Sequence, residues 1–189
     1  MNADVEKLVT DLQSADAAVR GAAWQGAAPL GALAVKPVAG VMTHADFETA
    51  RSARRALWKI VRHAGRPDAA SERKAVQSEL LSLLAGAPTP VRREVAWMLS
   101  EIGDDAAVEP LAALLADADV REAARCALER IPGSQATHTL EKALETVPED
   151  FRPAVANSLR VRGQTVAGYP TQKLVPAKTT TVVGVVGSR

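Results

Sequence analysis

Residues 90–121 constrain the fold of this chain most strongly. They contain a helical pattern, a Gly-Asp-Asp break, a second helical pattern and then a Val-Arg pair like the one near their start. The apolar face of such a helical hairpin can be covered only by a neighbouring hairpin, so hairpins of this kind occur in stacked series. The segment therefore predicts further copies on both sides.

The rest of the chain aligns with this unit. The position of Arg92 in the Val-Arg pair has equivalents at Arg20, Ala50, Arg121 and Arg152, which are separated in chain order by 30, 42, 29 and 31 residues. This spacing predicts an all-α fold, an α-solenoid of stacked helical hairpins, with half a unit at each end. The predicted helices cover residues 4–13, 17–30, 33–42, 47–64, 71–85, two within 90–118, 120–131, 135–145 and 150–162.

Composition supports helices. Apolar residues make up 47% of the chain but aromatic residues only 3%, so the interior must be built largely from Ala, Leu and Val. Small side chains let helices approach closely, whereas strands favour β-branched and aromatic residues.

The last 26 residues differ from the rest. Residues 164–189 contain two prolines, three glycines and a Thr-Thr-Thr-Val-Val run, which favour an extended chain over a helix. We therefore divide the chain into a solenoid, residues 1–163, and an extended C-terminal tail, residues 164–189. Two interpretations of the tail stay open: it packs along its own solenoid, or it pairs with the sheet edge of a partner.

The sequence contains no pattern typical of a metal site, a cofactor site or a catalytic site. Cys126 is the single cysteine, and His44, His63 and His138 share no helix face with other ligand types, so we expect no metal, no cofactor and no catalytic residues. The N-terminus lacks the pattern of a signal peptide, and no apolar run is long enough to span a bilayer. We expect a cytoplasmic protein that does not enter a membrane.

The repeated motif resembles a known family. Asp-x-Val-Arg-x-x-Ala-x-x-x-Leu-x-x-Ile-Gly occurs at residues 90–103 and 119–131 and more loosely at 150–163, and is similar to the short HEAT-like repeats named after phycobilin lyases. The resemblance implies an α-solenoid. Such repeats serve scaffolds, regulators and lyases, so it also implies, as one alternative, a protein that handles a tetrapyrrole.

Charge is distributed unevenly although the formal net charge is only +1. Residues 51–74 contain eight basic and two acidic residues, a balance of +6, whereas residues 101–150 contain four basic and twelve acidic residues, a balance of −8. In the predicted helix 47–64, one face carries a tryptophan among arginines. These residues are Arg51, Arg54, Arg55, Trp58 and Arg62.

This face allows two interpretations. Arginines around an aromatic ring can bind phosphates, a base or an acidic peptide. Alternatively, a neighbouring helix covers Trp58 and the arginines pair with local acids. A second candidate is Trp97, which points away from its helix's apolar face with Arg93 one turn away. It belongs to a row of equivalent positions that comprises Gln25, Arg55, Trp97, Cys126 and Asn157.

The arginines of the Val-Arg pairs have a structural interpretation. We expect Arg20, Arg92, Arg121 and Arg152 to pair with aspartates at neighbouring helix ends, such as Asp16, Asp117 and Asp119. The sequence thus favours a non-catalytic scaffold or adaptor that binds a protein partner along the row containing Arg55 and Trp97. The alternative is binding of nucleic acid by the basic region 51–74 together with Arg93 and Arg152. Partner identity and oligomeric state do not follow from the sequence.

Overall fold

The computed structural model describes residues 2–169, and all regular secondary structure in this range is helical. Met1 and residues 170–189, which make up most of the predicted tail, lie outside the described residues. The α-helices are α1 (Ala3–Leu12), α2 (Ala17–Gln25), α3 (Ala32–Val41), α4 (Phe47–Ala64), α5 (Ala70–Leu84), α6 (Thr89–Ile102), α7 (Val108–Ala112), α8 (Arg121–Arg130), α9 (Ser134–Thr146) and α10 (Arg152–Val161).

The helices stack in two layers. Helices α2, α4, α6, α8 and α10 contact one another in succession in one layer, and α1, α3, α5, α7 and α9 do so in the other. The described chain therefore starts with the second helix of a unit and ends with the first helix of another, as predicted. The predicted fold class, an all-α solenoid of helical hairpins, is confirmed.

The core lies between the layers and consists of small and medium-sized aliphatic side chains. The predicted apolar face of α6 is buried, with Val91, Val95, Met98, Leu99 and Ile102 each at most 4% exposed. The corresponding face of α4 is buried over most of its length. Both helices thus present one apolar stripe to their neighbours, which is what the 3.6-residue periodicity predicts.

Two helix boundaries differ from the prediction. The single helix expected over residues 17–30 is wrong, because α2 ends at Gln25 and a separate 3₁₀ turn covers Ala28–Leu30. Pro29 explains the break, since it has no N–H to donate to the carbonyl of Gln25, four residues earlier, and its ring would clash with that carbonyl in a continuous helix. The second helix of the 90–121 unit is also divided, into α7 and the 3₁₀ segments Asp105–Ala107 and Ala113–Ala116.

Two of the four repeat arginines connect neighbouring units through aspartates. The Arg92 guanidinium lies 3.0 Å from an Asp117 carboxylate oxygen, as predicted, and that of Arg121 lies 2.6 Å from Asp150. Arg121 also lies over the ring of Phe151, with Cζ 4.5 Å from the ring centroid. These contacts support the interpretation of the arginine series as structural.

The other two arginines do not pair with aspartates. Arg20 donates to the carbonyls of Ser14 and Ala15, at 2.6 and 2.9 Å, and Arg152 donates to the carbonyl of Val147. The expected pairing of Arg20 with Asp16 is wrong because the Asp16 carboxylate accepts the backbone N–H of Ala18 and caps α2. The Arg20 guanidinium instead donates to two carbonyls of the connection between α1 and α2, and these carbonyls have no helical N–H as a partner.

The first residues after α10 lie against the solenoid. Arg160 donates to the carbonyl oxygens of Val166, at 3.1 Å, and of Tyr169, and Val166 packs against the core. Tyr169 is the last residue that the structure describes. The division of the chain at residue 163, and the two interpretations of the tail, stay predictions.

Candidate binding groove

A groove on the surface of the layer that contains α2 and α4 brings together most of the predicted site residues. It lies between α2 and α4 and has a volume of about 700 Å³. Its lining combines two tryptophans with five arginines or lysines. The residues are Trp24, Gln25, Ala28, Arg54, Arg55, Trp58, Lys59, Arg62, His63 and Arg66.

The tryptophans are flanked by cations. The Arg55 guanidinium carbon and the Lys59 ammonium nitrogen lie 5.3 and 5.8 Å from the centroid of the Trp24 ring, and the Arg62 guanidinium carbon lies 4.8 Å from that of Trp58. These distances are within the range of cation–π attraction. Both rings are half-buried and pack against the core, so the cations sit over rings that are held in place.

Three of the cations are not neutralised locally. Among residues 2–169, no carboxylate lies within 4.0 Å of Arg54, Arg55 or Lys59, and all three side chains are exposed. In contrast, Arg66 lies 2.8 Å from Glu72 and Arg62 lies 3.5 Å from Glu101. The positive charge of the groove that has no described carboxylate partner is therefore carried by Arg55 and Lys59, which lie over Trp24, and by Arg54.

Acidic side chains of α6 border the groove. The Trp58 Nε1–H donates to Glu94 at 2.5 Å, and Glu101 of the same helix is the partner of Arg62. The structural interpretation of Trp58 is thus correct in part, because the neighbouring helix satisfies its N–H. These carboxylates limit the positive charge of the groove on its α6 side.

The predicted site residues separate into two sets. Arg54, Arg55, Trp58 and Arg62 line the groove together, whereas Arg51 lies 3.2 Å from Glu48 and lines an adjacent cleft. The other two predicted residues are not part of the groove lining. Arg93 donates to the backbone carbonyl of Asp119, and Trp97 is 40% exposed.

Trp24 and Lys59 were not among the predicted site residues. In the repeat register, Trp24 follows Arg20 by four residues and Arg54 follows Ala50 by four, so the two positions are equivalent in neighbouring units. Equivalent positions of stacked hairpins lie side by side. This register was the signal that could have identified Trp24.

The single cysteine belongs to a buried ionic cluster. Arg125 is 8% exposed and donates to Glu122 and to Glu129, the latter at 2.9 Å, and to the hydroxyl of Ser158 on α10. An Arg125 nitrogen also lies 2.9 Å from the Cys126 Sγ. Burial raises the pKa of the Cys126 thiol above its ordinary value, which favours the thiol over the nucleophilic thiolate.

A second groove, of about 690 Å³, lies in the other layer between α7 and α9. Its lining combines aliphatic side chains such as Leu115 and Val147 with polar ones such as His138 and Lys142, and it contains no Phe, Trp or Tyr. Among the described residues, no three His, Cys, Asp or Glu side chains are grouped in a way that could hold a metal ion. Within residues 2–169, no helix has both the length and the apolar character needed to cross a membrane.

This architecture defines a helical-repeat scaffold, and comparison with known proteins identifies the repeat. Residues 77–160 match the family model for HEAT repeats, which confirms the predicted HEAT-like repeats in this range. No match was found among curated proteins.

Solved structures with a similar arrangement include two designed proteins. One, an engineered protein, is 25% identical to this chain and superposes with a TM-score of 0.43. The match covers 85% of this chain and 79% of the engineered protein. A computationally designed armadillo repeat protein for modular peptide recognition is 22% identical, with a TM-score of 0.47 over 82% and 80% of the two chains. The fold class rests on the helix contacts and on the HEAT-repeat match.

Proposed function

We propose that the protein is a non-catalytic scaffold that binds an acidic segment of a protein partner in the groove between α2 and α4. The observation that carries the proposal is that Arg54, Arg55 and Lys59 line the same groove as Trp24, with no described carboxylate within 4.0 Å of any of the three. Side-chain carboxylates would pair with the guanidinium groups, and the flat ring would support an apolar or aromatic contact.

The extent of the basic surface favours a short ligand. A nucleic acid strand would follow the layer beyond α4, where Glu94 and Glu101 would repel its phosphates. Arg93 and Arg152, which the nucleic-acid alternative requires, are bonded to the backbone of Asp119 and Val147. Nothing in the groove favours the tetrapyrrole alternative specifically, and it stays a prediction.

The proposal predicts that charge reversal in the groove abolishes peptide binding. We expect the double variant R54E/R55E to weaken binding of a fluorescein-labelled, Glu- and Asp-rich peptide by at least about tenfold, because carboxylates would then face carboxylates. Fluorescence anisotropy measures the affinity. Circular dichroism checks that helicity is unchanged.

The matched control is R73E/K74E, which makes the same change in net charge on the exposed surface of α5, outside the groove lining. The proposal is wrong if the two double variants weaken peptide binding equally, or if neither does. Tighter binding of an oligothymidylate than of the peptide, with the same sensitivity to R54E/R55E, would favour the nucleic-acid alternative.

A further inference from the structure

A small apolar cleft adjoins the groove at the start of α4. It has a volume of about 240 Å³, and its apolar wall is formed by Met42, Phe47, Ala50 and Pro90. Phe47 is 70% exposed, more than the other exposed large hydrophobic side chains among the described residues. An aromatic side chain that is this exposed contributes little hydrophobic stabilisation to the fold. A ligand that covered it would remove its apolar surface from water.

The cleft and the groove adjoin each other. Arg54 lines both of them, and Glu94, which lines the cleft, accepts the N–H of Trp58 in the groove. Together they follow α4 from Phe47 to His63. These residues are sixteen positions apart, which corresponds to about 24 Å of helix and to about seven residues of an extended chain.

The two ends of this surface differ in chemistry. The end near Phe47 combines an apolar wall with Glu94, with Arg54 and with Arg51, which lies 3.2 Å from Glu48. The end near Trp24 carries cations without described carboxylate partners. A ligand that matches both ends must be apolar at one end and acidic at the other.

We infer that the partner segment is an extended acidic peptide with one aliphatic or aromatic side chain at one end, which inserts into the cleft beside Phe47. This inference rests on the proposed function, since it assigns a second contact to the same ligand. The cleft is large enough for a single side chain of this type, and the shared Arg54 places the first acidic residue next to that side chain.

The test uses labelled acidic peptides of equal length and charge that carry Leu at the N-terminal end, Leu at the C-terminal end, or Ser at both ends. We expect one Leu peptide to bind the full-length protein roughly tenfold more tightly than the Ser peptide, because leucine burial contributes only at the cleft. Phe47→Ala should abolish this difference. Leu33→Ala is the matched control, because Leu33 is similarly exposed, at 67%, but lies on α3 outside the cleft.

The outcomes separate the two proposals. If all peptides bind with equal affinity and remain sensitive to R54E/R55E, the proposed function stands and the inference about the cleft is wrong. If no peptide depends on Arg54 and Arg55, the proposed function is wrong as well. Loss of the leucine preference in Leu33→Ala to the same extent as in Phe47→Ala would also overturn the inference, because the effect would not be local.

Discussion

Arginine is used in opposite ways in two regions of this molecule. On α4, Arg54 and Arg55 are exposed, and no carboxylate of the described residues lies within 4.0 Å of either. On α8, Arg125 is buried among Glu122, Glu129 and Ser158. One group of arginines is available to a ligand, and the other is already bound within the protein.

The end of α10 gives a second example of internal use. The Arg162 guanidinium donates to the backbone carbonyls of Leu128, Glu129, Ile131 and Gly133, and so satisfies the end of α8 and the turn that follows. The C-terminal units are therefore joined by arginines that bridge helices. The difference between the regions indicates that a count of basic residues does not locate a binding surface, whereas the partners of each guanidinium do.

The largest expected effect is on stability. We expect Arg125→Met to lower the free energy of unfolding by about 3 kcal/mol, because Glu129 and the buried Ser158 would lose their cationic partner. Arg54→Met, the matched variant on α4, should change it by less than about 0.5 kcal/mol. Urea denaturation followed by circular dichroism measures both, and equal effects would remove the distinction between the two regions.

A smaller effect on the free energy of unfolding is expected at acidic pH. The hydrogen bond from Arg125 lowers the pKa of the Glu122 carboxyl below its ordinary value of 4.5, so the folded protein binds this proton less readily than the unfolded chain. The resulting stabilisation is complete above the unfolded-state pKa and is lost as the pH falls through the lower folded-state pKa. We expect Arg125→Met to lose less stability than the wild type between about pH 6 and pH 3. If the stability of the two proteins fell equally over this pH range, the role given to Arg125 in lowering the pKa of Glu122 would be wrong.

The smallest effect is expected at Trp97. This residue does not line the groove, so we expect Trp97→Ala to leave the affinity for the acidic peptide within about twofold of the wild type, whereas Trp24→Ala weakens it by about fivefold. Fluorescence anisotropy compares the two variants. A larger loss in Trp97→Ala than in Trp24→Ala would restore the predicted row of Arg55 and Trp97 as the binding surface.

Much of the fold could be predicted from periodicity. The apolar positions of α6, such as Val95 and Leu99, recur at the spacing of a helix face, and burial follows because each hairpin has only its neighbours to cover that face. The break between α2 and the 3₁₀ turn Ala28–Leu30 was not predicted, although the sequence contains Pro29, because the apolar pattern continues past that residue. The groove was predicted in part, since Arg54, Arg55, Trp58 and Arg62 share one face of a single helix.

The partners of the charged groups depended on tertiary structure. Arg51 and Arg125 pair with glutamates three or four residues away, a spacing that a helix brings together and that the sequence shows. Arg93, in contrast, donates to the carbonyl of Asp119, 26 residues along the chain. Helix periodicity describes the direction of a side chain on its own helix, and it carries no information about which side chain of another unit lies opposite. The packing of units therefore decided which arginines stabilise the solenoid and which remain exposed in the groove.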